Sequence, residues 1–220
     1  MECKKCGKIY KTNQTLKKHS KKCDTKEELK SAKLQIDFDI NTYITFINDE
    51  IAKCFKNSKY NDDILEDILL DDLIRKEQEQ IKFAKKLKQI QMNIGKIWQI
   101  TIGNWKYFTD LGEGDISGLD VKSDKLNIIM EIKNRYNTDN ASSRKTNYLK
   151  LASYKKANPE YICIYAVIND KKKLGKDEEI TIENEKIRYL SGDKLLSFIF
   201  NDNKNIILSN LKIQLQNLQL

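Results

Sequence analysis

Four charged side chains carry the chemistry that this sequence can do: Asp115, Asp120, Glu131 and Lys133. They lie in Gly114-Asp115-Ile116-Ser117-Gly118-Leu119-Asp120 and in Asn127-Ile128-Ile129-Met130-Glu131-Ile132-Lys133-Asn134, which read as the two arms of a β-hairpin. Side chains alternate along a strand, so Glu131 and Lys133 share one face while Ile132 points into the core. A carboxylate and an ammonium side by side at the end of a buried strand need compensation, because unpaired buried charge is expensive. They can compensate each other, or a divalent metal or a phosphate can do so. With an aspartate on the neighbouring strand, the sheet edge offers the oxygen donors that a hard cation such as Mg²⁺ takes. Lys133 is then placed to orient a water or to neutralise charge growing on a phosphate. The chemistry implied is phosphodiester hydrolysis.

The first carboxylate depends on hairpin register. A turn centred on Ser123-Asp124 places Glu131 opposite Ile116 and favours Asp115, whereas one centred on Lys125-Leu126 places it opposite Asp120. Register alone leaves both open.

A second constellation is Cys3, Cys6, His19 and Cys23, spaced C-x2-C-x12-H-x3-C, the chain's single histidine among them. Tyr10 and Leu16 stand where the small core of a ββα zinc finger is needed. Residues 1–24 therefore resemble a two-cysteine, two-histidine finger with cysteine as the last ligand. Four protein ligands leave no open position, so the Zn²⁺ implied is structural. Its binding free energy, on the order of 10 kcal/mol, would be the folding free energy of so small a module. If the resemblance extends to DNA, the finger helix presents Thr12, Gln14, Thr15 and Lys18 to base edges, covering about three base pairs, the reach of an accessory anchor. Fingers also bind proteins. With the histidine assigned to zinc, a histidine-based nuclease centre is disfavoured.

Ser117-Gly118-Leu119-Asp120 together with Glu131-Ile132-Lys133-Asn134-x-x-Asn137-Thr138-x-Asn140 resembles the PD-(D/E)xK nuclease superfamily, and more narrowly a group of type II restriction endonucleases that cut short GG-x-CC palindromes. The resemblance covers about residues 98–196. It favours Asp120 as the first carboxylate, with Asp115 the alternative. Asp120 and Glu131 are then the Mg²⁺ ligands, and Asp120, Glu131 and Lys133 the catalytic set. No proline precedes either aspartate, a departure from the superfamily's name pattern. The polar run after Lys133, namely Asn134, Arg135, Asn137, Thr138, Asn140, Ser143, Arg144 and Lys145, is where double-stranded DNA is expected to be met, mostly at phosphates. A polar loop with an Asn or Ser helix cap is the structural alternative for any one of these residues. Cutting both strands of a palindrome calls for a homodimer.

The elements that must position these groups follow from periodicity. Residues 25–35 are polar and read as a linker, and residues 36–220 as the nuclease domain, with its catalytic core at about 73–200. Ile40, Tyr43, Ile44, Ile47, Ile51, Cys54 and Phe55 recur at helical spacing. The acids between Asp62 and Asp72 fit a solvated helix face better than a metal site. A long helical pattern runs from about Leu73 to Ile102 with Ile74, Ile81, Leu87, Ile90, Ile94, Ile97 and Trp98 inward, and Gly95 and Gly103 interrupt it, which leaves two helices or a kink open. Strands are predicted at 116–122 and 126–133, a helix at 142–157 ahead of Pro159, and a doubly buried strand at 161–168. A hairpin follows at 179–183 and 186–190, and Ser191 is expected to cap a helix from about Asp193. The fold class is α/β (α+β), a restriction-endonuclease-like mixed sheet flanked by helices, with a small ββα finger.

Composition agrees with these readings. The 220 residues carry a net charge of +8, and a sequence pI near 9.0 suits a polyanionic partner, although a lysine-rich solvated surface gives the same balance. No run of about 18 apolar residues exists, so neither a membrane span nor a secretory leader is expected and the chain reads as intracellular. Cys54 and Cys163 stand alone in apolar segments as core thiols, not as a disulfide framework. Two other functions remain open on sequence: a structure-directed repair or recombination nuclease on the same core, and a non-catalytic zinc-finger DNA-binding protein.

Overall fold

The computed structural model describes residues 38–56 and 78–218, the side chains of 78–82 excepted. The expected zinc ligands Cys3, Cys6, His19 and Cys23, the finger residues Thr12, Gln14, Thr15 and Lys18, the linker, the acidic stretch 62–72, Ile74 and the Ile81 side chain lie outside the described residues. The chain divides into two units, Met1–Asp39 and Ile40–Leu220, and every element described below belongs to the second.

Helix α1 (Ile40–Lys56) buries Tyr43, Ile47, Ile51 and Phe55, the stripe its periodicity predicts. Helix α2 (Gln78–Gly103) passes through Gly95 without a break, because a single glycine costs only about 1 kcal/mol in a long, packed helix. Leu87, expected in the core, is 44% exposed, whereas Ile97 and Ile102 are buried. Of the buried polar residues on this helix, Asn93 and Thr101, Asn93 donates through Nδ2 to the Cys54 carbonyl of α1 at 3.2 Å. Trp105, just past the helix, meets Tyr43 and Phe200 edge to face at 5.1 and 5.2 Å and anchors this side of the core.

Among the described residues six strands form one mixed sheet: β1 (Thr109–Asp110), β2 (Val121–Ser123), β3 (Ile128–Arg135), β4 (Ile162–Asn169), β5 (Asp177–Ile182) and β6 (Glu185–Ser191), in the order β1-β2-β3-β4-β6-β5. β3, β4 and β6 run parallel, and antiparallel partners close both edges. Helix α3 (Ala141–Ala157) makes the crossover from β3 to β4. Helices α4 (Gly192–Phe200) and α5 (Lys204–Gln216), joined by a turn at Asn201–Asn203, pack with α1 and α2 on the opposite face. The division between α4 and α5 is not legible as periodicity, and the backbone marks it with Asn201 at φ 48°.

Alternation along β3 sorts the two cores. Ile128, Met130 and Ile132 join the α1, α2, α4 and α5 side, while Ile129 packs with Leu151, Ala152, Tyr165 and Val167 on the α3 side. Glu131 and Lys133 take the parity of Ile129 and so face α3. The predicted strand at 116–122 shrinks to Val121–Ser123, and Ile116 is fully exposed. Strand β1 is too short to carry a period of its own. Ser191 stands at the N-cap position of α4 but does not cap it with its side chain. Its hydroxyl donates to Asp170 and accepts from the Lys176 N–H at 2.8 Å, so the oxygen expected to cap the helix instead ties down the loop before β5. That loop packs tightly: Gly175 has φ +71°, and a Cβ there would meet the Ser191 carbonyl oxygen at 1.8 Å.

Candidate active site

The β2–β3 hairpin pairs Val121 with Met130, Lys122 with Ile129 and Ser123 with Ile128, and so turns about Lys125-Leu126. This register brings Asp120, not Ile116 or Asp115, alongside Glu131. Asp120 sits where β2 begins. Its N–H donates to the Met130 carbonyl at 3.0 Å and its carbonyl accepts from the Leu111 N–H at 2.9 Å. Its Oδ2 accepts the Ile132 N–H at 2.6 Å, so a side-chain carboxylate serves the β3 backbone where the β2 ladder ends. Gly118, at φ +60°, brings the chain into this position, and Lys150 of α3 reaches across to donate to the Gly118 carbonyl at 3.1 Å.

Asp115 lies elsewhere and is occupied locally. Its Oδ1 accepts the Ser117 N–H at 2.8 Å and the Ser117 hydroxyl at 2.5 Å, an Asx turn that holds its carboxyl below the ordinary aspartate value.

Glu131 is 5% exposed. Its Oε1 accepts the Lys133 ammonium at 2.8 Å, while Oε2 is buried without a hydrogen-bond partner. A buried carboxylate oxygen left unpaired costs a few kcal/mol at most sites. Burial and then the Glu131 carboxylate push Asp120 up from 3.8 to about 6, against the Ile132 N–H and Lys133, with Asp110 adding to the rise. Burial by itself would lower the Lys133 pKa, but Glu131, Asp139 and Asp120 outweigh it and the ammonium is held above its ordinary value. The result is an acidic pair short of positive charge on one side, with a fixed cation on the other.

This donor set fits a hard divalent cation. Two carboxylates stand next to each other, one with a buried oxygen lacking a hydrogen-bond partner and the other raised in pKa by burial and then by its carboxylate neighbour. Among the described residues no group of three His, Cys, Asp or Glu side chains converges. Mg²⁺ is commonly held through one or two carboxylates, with waters and substrate phosphates completing the shell.

The remaining expected residues gather along one path from β3 into α3. Asn134 and Arg135 end the strand, and Asn134 Oδ1 accepts from Asn169 Nδ2 at 2.9 Å. Thr138 donates to the Arg135 carbonyl at 2.7 Å. Asn140 is the N-cap of α3, its Oδ1 accepting the Ser143 N–H at 2.7 Å. Arg144 donates to the Tyr136 carbonyl at 2.7 Å. Thr138, Asn140 and Arg144 thus shape the loop, while Arg135, Asn137, Ser143 and Lys145 are exposed along it.

Sequence reasoning missed Asp139. Its Oδ2 accepts the Tyr165 hydroxyl at 2.7 Å and Asn147 Nδ2 at 3.0 Å, and its Oδ1 stands 3.7 Å from the Lys133 ammonium. Two signals pointed to it: Asn147 is a polar residue four positions before Leu151 on a buried helix face, and Tyr165 is the one hydroxyl within Ile162–Ile168. Asp110 was missed because β1 was.

The mixed sheet flanked by helices fits the expected fold class, and comparison with known families supplies the class of protein. A family model described as Eco47II restriction endonuclease matches residues 9–217, and the chain belongs to that family of type II restriction endonucleases. None of the curated proteins and none of the solved structures compared with the chain gives a match. Among the described residues no helix is long and apolar enough to cross a membrane.

Proposed function

We propose that this protein is a site-specific, Mg²⁺-dependent endonuclease that hydrolyses phosphodiester bonds in double-stranded DNA, acting as a homodimer on a short palindrome of GG-x-CC type. The observation that carries the reading is the pair of half-buried Asp120 and buried Glu131, whose Oε2 lacks a partner, with Lys133 fixed 2.8 Å from Glu131, in a chain of a restriction endonuclease family.

Asp120 and Glu131 would hold the Mg²⁺. When bound, the ion supplies Lewis-acid stabilisation of the charge that grows on the scissile phosphate. Lys133 provides a permanently charged donor beside the reacting phosphate, preorganised by its carboxylate neighbours and so needing little reorganisation as charge develops. The Ile132 N–H fixes the Asp120 carboxylate at 2.6 Å, which sets the angle at which that carboxylate faces Glu131. Exposed Arg135, Asn137, Ser143 and Lys145, on the loop and first turn leaving β3, would meet the duplex, with Arg135 and Lys145 neutralising phosphates.

Residues 1–24 are proposed to form a structural Zn²⁺ module on Cys3, Cys6, His19 and Cys23, an accessory DNA anchor whose helix carries Thr12, Gln14, Thr15 and Lys18. The net charge of +8 is in keeping with such a partner.

The test is cleavage of unmethylated genomic DNA by purified protein with Mg²⁺. Discrete fragments whose ends map to one GG-x-CC palindrome are expected. Cutting confined to flaps, junctions or ends would replace this reading with a structure-directed nuclease. Tight binding without metal-dependent cutting would replace it with a DNA-binding protein.

A further inference from the structure

The carboxylate of Asp139 is buried beside Lys133 and is held by two groups from other elements. Tyr165 comes from the middle of β4, and its hydroxyl stays protonated because burial, then Asp139 itself, raises its pKa. Asn147 comes from the second turn of α3 and is itself buried. Both donate to Oδ2, which leaves Oδ1 facing the Lys133 ammonium. The Tyr165 ring is in turn wedged between Tyr148, edge to face at 4.8 Å, and Tyr189, stacked at 5.9 Å. The Asp139 side chain therefore has little freedom to move, although it sits on the loop between β3 and α3.

Lys133 thus has two carboxylates, at 2.8 and 3.7 Å, with different duties. On the proposed reading Glu131 must also face a divalent cation, which would draw on the same carboxylate and repel the ammonium. A lysine anchored by Glu131 alone would then be pushed away from the reacting phosphate. Asp139 has no such second duty, and its distance leaves room for the ammonium to shift toward it.

We propose that Asp139 is a positioning residue for cleavage: fixed by Tyr165 and Asn147, it retains Lys133 at the site when Glu131 is engaged by the cation. The inference rests on the reading of Asp120, Glu131 and Lys133 as the active site. It adds a role for a residue that touches neither metal nor substrate.

The substitution Asp139→Asn keeps an oxygen for Tyr165 and Asn147 and removes the charge. Under single turnover on duplex DNA with Mg²⁺, it should lower the cleavage rate by at least tenfold while the KM for DNA stays within threefold. Tyr165→Phe, which frees Oδ2 from one donor but retains the carboxylate, should lose about three- to tenfold in the same quantity. A readout independent of activity is a double-mutant cycle of Asp139→Asn and Lys133→Gln followed by urea unfolding without divalent cation. The two effects should be non-additive, since each removes the same charge pair.

Rates within threefold of wild type for Asp139→Asn, a loss confined to KM, or additive unfolding effects would overturn the proposal. Should Asp139→Asn fail to fold, Tyr165→Phe decides by its cleavage rate under the same criteria. Glu131→Gln serves as the control for the parent reading. If it cuts at the wild-type rate, the active site is misassigned. If it is inactive while Asp139→Asn and Tyr165→Phe are unimpaired, only the role of Asp139 falls.

Discussion

Asp120→Asn should make the cation-free protein more stable at pH 8 while abolishing its cleavage. The Asp120 carboxyl is displaced from 3.8 to about 6, first by burial and then by Glu131. An acid whose pKa is higher in the folded state binds its proton more tightly there than in the unfolded chain. The stability this lends is full below about 3.8 and is lost as pH rises through about 6. Ionised Asp120 therefore costs the native state about 3 kcal/mol at pH 8, at 1.36 kcal/mol per pH unit. Asparagine has nearly the same shape and keeps an oxygen for the Ile132 N–H now at 2.6 Å, although a neutral acceptor gives a weaker bond than a charged one. The expected gain is thus about 1 to 3 kcal/mol at pH 8, shrinking toward zero near pH 4. Urea unfolding of both proteins at several pH values, in buffer stripped of divalent cation, reads this directly because groups common to both cancel. Destabilisation at pH 8, or a difference of the same size at pH 4, would refute the assignment of Asp120 as an acid strained by burial and by its carboxylate neighbour. The same proton competes with a bound cation, so apparent Mg²⁺ affinity should fall toward tenfold per pH unit below about pH 6.

Glu131→Gln and Lys133→Ala should each reduce cleavage by at least about 100-fold with DNA affinity changed only a few-fold, since they remove contacts used in the transition state; gel-based binding and cutting assays separate the two, and cutting within about tenfold of wild type would count against this site. Cys3→Ser with Cys6→Ser should eliminate bound zinc by elemental analysis, weaken DNA binding and slow cutting at low enzyme concentration, yet leave the cut sequence unchanged. Sequencing of fragment ends that revealed new cut sites would make the finger a principal reader. Gly175→Ala should destabilise the fold by about 2 kcal/mol or more, because φ is +71° and the new Cβ would meet the Ser191 carbonyl at 1.8 Å; thermal unfolding with no change in Tm would contradict the close packing at that loop.

What the sequence made legible follows from how each signal is encoded. Helix α1 and strand β4 were readable because burial on one face or on two writes a period or a run that no local detail can hide. The pairing of Glu131 and Lys133 on one face was readable for the same reason. The hairpin register beside Asp115 and Asp120 was not, and only the resemblance favoured Asp120, since a register depends on where its turn closes, and Lys122-Ser123-Asp124-Lys125 is as polar as any turn although Val121–Ser123 continue as strand. The extent of β2 and the existence of β1 were hidden because two- and three-residue strands carry no period. Asp139 was overlooked because its partners Asn147 and Tyr165 come from two separate elements, and only the fold brings them together. Ser191 was misread because a hydroxyl at an N-cap position can serve the helix or a neighbouring loop, and here Asp170 and Lys176 take it.

Glu131 and Asp120 carry defects of opposite kinds that one event would remove. Glu131 leaves Oε2 buried and unpaired, and Asp120 ionises with difficulty because of burial first and the neighbouring Glu131 carboxylate second. Ordinary selection for stability would relieve both, for instance by a neutral side chain at either position, and would leave the larger core intact, whose apolar residues pack on the other face of β3. A divalent cation between the two carboxylates would supply a partner for the unpaired oxygen and reverse the repulsion that raises Asp120. On the proposed reading, part of the cation's affinity therefore comes from relieving instability stored in the folded protein, and the stability gained by Asp120→Asn should reappear as a loss of cation binding. Lys133 limits how far this can go, since its ammonium already neutralises half of the pair. Asp139, 3.7 Å from the ammonium, would offset that charge and so favour the proposed ion.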